Sequence, residues 1–117
     1  MKFEFRWQID LSDDVKMMLA SRAVEVLKDV WDVVEKFYSR EIRFGRSSYG
    51  EMMFPIFDDE VISRDRLPDE IRNGDIWLMI PLNKDFDPYI EWMSESMYCK
   101  NENEPVCRVL ADIEVRE

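Results

Sequence analysis

The chain has 117 residues, 46% of them hydrophobic and 13% aromatic, which suffices for one domain with a single core built without metals or disulfides. It carries 26 acidic against 16 basic residues, a formal charge of −10, and such a field repels phosphate backbones and anionic membranes. Histidine is absent, which removes the commonest general base and metal ligand and excludes every histidine-dependent triad.

Phe3, Phe5, Trp7 and Ile9 alternate with Glu4, Arg6 and Gln8, the period of a half-buried strand. The charges in this segment interrupt what a signal peptide would need as a continuous apolar stretch, so a cytoplasmic chain is expected if the N-terminus is native. Ser12, Asp13 and Asp14 then supply a helix start, a side-chain oxygen for orphan amides and negative charge at the positive dipole end. From Asp13 to Arg40 the spacing predicts one helix of about 27 residues, some 40 Å long. Its apolar stripe is Val15, Leu19, Ala23, Val26, Val30, Val33, Val34 and Phe37, opposite Glu25, Lys28, Asp29, Asp32, Glu35 and Lys36.

Glu41 to Phe44 reads as a second strand, followed by a loop from Arg46 to Gly50. Met52 to Phe57 is an apolar run broken by Pro55, which cannot donate to a ladder and so points to an edge strand or an irregular segment. Pro68 is placed for the first turn of a short helix. Asn73-Gly74 signals a turn into Asp75–Ile80, expected to be a buried central strand closed by Pro81. Asn83 to Pro88 is a loop. Tyr89 to Met97 is ambiguous, because Ile90, Met93 and Met97 suit a helix. The last unit is a hairpin: Tyr98-Cys99, a turn over Lys100–Pro105, and a strand from Val106 to Val115. Val109, Ala111, Ile113 and Val115 are expected on one face of that strand, with Arg108, Asp112 and Glu114 on the other.

The expected fold is therefore α+β: one acidic domain over residues 1–117, with a long N-terminal helix packed on a mostly antiparallel sheet of about four to five strands. No internal repeat or linker divides the chain. Its longest apolar stretch, about Ile76 to Pro81, is far short of the roughly 20 residues of a membrane span.

Among candidate sites, Asp58, Asp59 and Glu60 form an acidic cluster suited to a basic partner or a cation, beside the plainer reading of a solvated surface. Tyr49 and Trp92 are candidate exposed anchors, since tyrosine and tryptophan are enriched at interfaces. Asn83, Asp85 and Asp87 alternate like the opening ligands of a calcium loop, but Pro88 stands where that loop needs glycine and Ser94 where it needs glutamate. Cys99 and Cys107 flank the hairpin turn. A disulfide and a pair of reduced thiols both fit that placement. Methionines such as Met52, Met53, Met79 and Met93 suit an irregular core or an adaptable surface. No catalytic residue, metal ligand or cofactor site is identified.

Asn73-Gly74-Asp75-Ile76-Trp77-Leu78, then Tyr98-Cys99, Glu104-Pro105 and Asp112-Ile113-Glu114-Val115, resembles leishmanolysin-type metzincin proteases. In that pattern an Asn-x-Asp opens an apolar strand and a cysteine precedes a proline-containing turn. The long helix and Ile42-Arg43-Phe44 are similar to the elements that come before. Glu91 to Met97 departs from the family's alanine-rich run, and Cys107-Arg108 stands where glycine is expected after the proline. The family's His-Glu-x-x-His helix would begin beyond residue 117, so no zinc or catalytic residue is carried over. The resemblance implies an amino-terminal, non-catalytic half-domain or a degenerate relative, with an open edge on its last strand.

Two functions are thus expected from the sequence. One is a non-enzymatic acidic protein-interaction module, an inhibitor or adaptor that binds a basic protein surface and neither nucleic acid nor membrane directly. The other is the metzincin-like half-domain.

Overall fold

The computed structural model describes residues 1–38, 51–82, 85–94 and 107–116. Its elements are β1 (Lys2–Trp7), helix α1 (Asp13–Tyr38), β2 (Glu51–Pro55), β3 (Gly74–Pro81), β4 (Tyr89–Ser94) and β5 (Cys107–Arg116), with single 3₁₀ turns at Arg64–Arg66 and Asp69–Ile71. The strands form one sheet in the order β1-β5-β4-β3-β2, and every neighbouring pair is antiparallel. The protein is an α+β domain, with one long helix and five strands among the described residues.

The helix begins where the sequence says it should. Ser12 Oγ accepts from the Val15 amide at 3.4 Å, Asp13 and Asp14 sit in the first turn, and Lys36 lies in the last. Its buried residues are Val15, Leu19, Ala23, Leu27 and Val34, which belong to one core cluster with Ile76, Leu78, Ile80, Ile90, Leu110, Ala111 and Ile113 of the strands. Leu27 belongs to the buried stripe, and Val33, expected in it, is exposed. A step of four from Ala23 reaches Leu27, whereas Val33 lies past the edge of the face that Val34 closes. Phe3 meets Trp31 edge-to-face at 6.4 Å, a further link between β1 and α1.

β1 and β2 are the two outer strands of the described sheet. Pro55 ends β2, as an edge position allows. The Pro68 region forms a 3₁₀ turn at Asp69–Ile71 that buries Ile71.

Tyr89–Ser94, ambiguous in the sequence, is a strand at the centre of the sheet, and β3 is the buried inner strand expected, paired with β4 on one side and β2 on the other. The helical spacing of Ile90 and Met93 is incidental: the two lie on opposite faces of β4, and Ile90 is fully buried. Strand β5 does not alternate throughout. Ile90 pairs with Ala111 but Glu91 with Val109, so Leu110 is an extra bulged residue; Leu110 and Ala111 are both buried in the core, and Val109 lies on the opposite face. β5 lies inside the sheet, paired with β1 over residues 111–116 and with β4 over residues 107–112. The expected strand at 41–44, the loop with Tyr49, and the turn with Cys99 lie outside the described residues.

Candidate functional site

One face of the sheet carries the residues that join the core cluster. The other carries side chains from all five strands that the core does not use. Pleating and register place Arg6, Asp112, Tyr89, Met79 and Met53 in one cross-strand row, and Val109, Glu91, Trp77 and Pro55 in the next. On this face lies a groove of about 980 Å³. Its lining includes Glu4, Glu51, Asp85, Asp87, Glu91, Asp112 and Glu114, together with Arg6, Pro81, Phe86, Tyr89 and Val109. Carboxylates distant in the sequence are thereby gathered on one surface.

Several of these side chains are already tied. Gln8 Nε2 donates to Asp112 Oδ2 at 2.7 Å. Arg116 Nε donates to Glu114 Oε1 at 3.1 Å, and its Nη2 lies 3.4 Å from Glu4 Oε2. The hydrogen bond from Arg116 holds the Glu114 carboxyl below its ordinary range. Burial, and then the neighbouring charge of Glu51, push the Tyr89 phenol well above the usual tyrosine range, while its hydroxyl hydrogen-bonds Glu51. The Cys107 thiol is raised chiefly by its hydrogen bond to Glu91, and next by burial. A protonated thiol is a poor nucleophile, so Cys107 is exposed without being activated.

Glu91 differs from the other acids. It is 8% exposed, the charged residue buried among the described side chains, and it stands on the central strand between Trp77 and Val109. The groove also carries an apolar feature: Phe86 is 61% exposed at its wall. An exposed aromatic ring thus shares the groove with seven carboxylates. Among the described residues, no group of three or more acids or cysteines could hold a metal ion, and no helix is long and apolar enough to cross a membrane.

Of the candidates found in the sequence, Asp85 and Asp87 line the groove and Cys107 lies beside Glu91, whereas the acidic cluster and Trp92 fall elsewhere. Asp58, Asp59 and Glu60 follow β2, and their acids are largely used to build the turn. Asp58 Oδ1 accepts from the Glu60 amide at 2.9 Å, and its carbonyl accepts from Val61 and Ile62. Asp59 pairs with Arg64 Nε at 2.8 Å. That arginine also donates to the carbonyls of Arg72 and Gly74, and its guanidinium lies 5.1 Å above the Phe57 ring. Glu60 remains exposed.

Trp92, expected on the surface, is half-buried and packs against the core cluster, with its indole nitrogen buried and without a hydrogen-bond partner. It faces inward because it is one residue from Glu91 on a strand whose faces alternate. Tyr49 lies outside the described residues, as does Cys99, and with it any pairing to Cys107. Phe86, Glu91, Glu51 and Tyr89 were not singled out by the sequence reading. Phe86, Tyr89 and Glu91 are near neighbours in the chain without forming a motif, and Glu51 joins them through the strand order.

No family model, no curated protein and no solved structure matches the chain. Its function is therefore read from the chemistry of this face.

Proposed function

We propose that the chain is a non-enzymatic acidic protein-interaction module, an inhibitor or adaptor that docks a basic protein surface on the face of its sheet turned away from the core cluster. The observation that carries this reading is the gathering of seven carboxylates around one groove with the exposed Phe86 ring. Complementary charge would steer the encounter, and the aromatic wall would supply contact area that outlasts salt screening. The turn at Asp58, Asp59 and Glu60 contributes Glu60 at most, because Asp58 and Asp59 are committed within the fold.

The metzincin-like half-domain remains the alternative, and it rests on the sequence pattern from Asn73 onward.

The test compares the wild-type chain with two double charge reversals of equal net charge. D87K/E114K alters the groove, and E25K/E60K alters the surface elsewhere. Immobilised chains are challenged with a set of purified basic proteins at low and moderate salt. Retention at low salt that is lost in D87K/E114K and kept in E25K/E60K is expected. Equal loss in both doubles would reduce the effect to net charge and overturn the docking face.

A further inference from the structure

We propose that Glu91 is the seat of one arginine side chain of the docked partner, held between the carboxylate and the aromatic rings beside it. The inference rests on the docking face proposed above and names what the deepest part of that face accepts.

Burying an ionised carboxylate is costly unless a cation or several donors compensate it. Glu91 lies on the central strand and is almost wholly buried, yet it still lines the groove. Among the described residues no ion pair involves it. The basic side chains on this face lie toward β1: Arg6 at the groove wall, and Arg116 beside Glu4 and Glu114. The Cys107 thiol donates a hydrogen bond to Glu91, and a thiol is a weak donor without charge.

The surroundings select the kind of cation. Trp77 is the register partner of Glu91 on β3, and Tyr89, which lines the groove with Glu91, precedes it by two on the same face, so the strand pairing puts two aromatic residues next to the acid. The Tyr89 hydroxyl is bonded to Glu51, which brings a second carboxylate to the same end of the groove. A guanidinium is planar, weakly hydrated and able to stack on rings while donating in parallel to a carboxylate. A lysine ammonium is compact and strongly hydrated, and gains less from such a frame. A side chain delivered by a protein partner also explains why the seat lies within a broad groove with Phe86 at its wall.

The experiment uses fluorescently labelled octa-arginine and octa-lysine, equal in charge, against wild type, E91Q and V109R, with binding read by anisotropy. Val109 is exposed and stands directly across from Glu91, so V109R places a guanidinium in the seat from within the chain. Wild type should bind octa-arginine about tenfold more tightly than octa-lysine, a difference of about 1.4 kcal/mol. E91Q and V109R should each erase that preference, and V109R should also raise the Tm. Binding of both peptides with no preference, or a preference that survives E91Q, overturns the seat and leaves the docking face intact. Binding of neither peptide overturns both.

Discussion

Gly74 is required by a neighbour, not by a turn. The turn occupies Arg72 and Asn73, and Gly74 is already the first residue of β3, paired with Ser94. A Cβ at this position would run into the indole of Trp92 and the carbonyl of Met93. The half-buried tryptophan therefore covers the backbone at a point where only glycine leaves room. Gly74→Ala is expected to destabilise the domain by about 1–3 kcal/mol, the ordinary cost of overpacking, as measured by urea denaturation. A wild-type midpoint would show that Trp92 can swing aside. Asn73-Gly74 was legible as a special position, but its physical reason was not, because the ring that demands the glycine comes eighteen residues later in the chain. Glu91 was equally hidden. It stands beside Trp92 in a run of polar and apolar residues, and nothing in that run distinguishes the buried acid from its exposed counterparts.

At the scale of elements, the clearest periodicities were read correctly. β1 alternates for its whole length, and α1 begins at a Ser-Asp-Asp start. These elements are amphipathic, so their pattern records one wet and one dry side. β4 lies at the centre of the sheet, where that contrast fades: Glu91 on its open face is buried, as Ile90 on its core face is. Burial on both sides erases the alternation that marks a strand, and the spacing of Ile90 and Met93 then mimics a helix. The helix itself offers a sharp test of its buried stripe. Leu27→Ala should cost about 2–5 kcal/mol through the cavity it leaves, while Val33→Ala should stay within about 0.5 kcal/mol. Thermal unfolding of the two variants separates them, and equal losses would mean that the helix is rotated from its described position.

At the scale of the whole molecule, the acid excess acquires a location. Composition alone gives a charge of −10 and no direction. The sheet gathers residues from β1, β2, β4 and β5, together with Asp85 and Asp87, onto one side. The local cluster at Asp58, Asp59 and Glu60 drew attention because its members are adjacent in the chain. The groove is assembled from residues far apart in sequence, and strand order cannot be read from residue types. Crowded carboxylates repel one another, and the neighbouring cations are concentrated toward β1. Added salt should therefore move two observables in opposite directions. It should weaken association with a basic partner and strengthen the free domain by on the order of 0.5 kcal/mol, a few degrees in Tm. A free domain whose Tm falls on moving from low to moderate salt would mean that attraction outweighs repulsion on its surface.

The bulge at Leu110 has a consequence for how the chain could change length. Ladder partners on either side of it differ by a single step: Glu91 with Val109, then Ile90 with Ala111. Removing Leu110 would leave those pairs intact and every neighbouring side chain on its present face. The inserted residue is thus a comma in the strand, added without changing the meaning of the words around it. It supplies one more leucine to the interior and adds local bend and twist where β5 passes beneath the groove. A version of this chain shortened by that one residue would keep its charges and its strand order, and its groove would have a flatter floor.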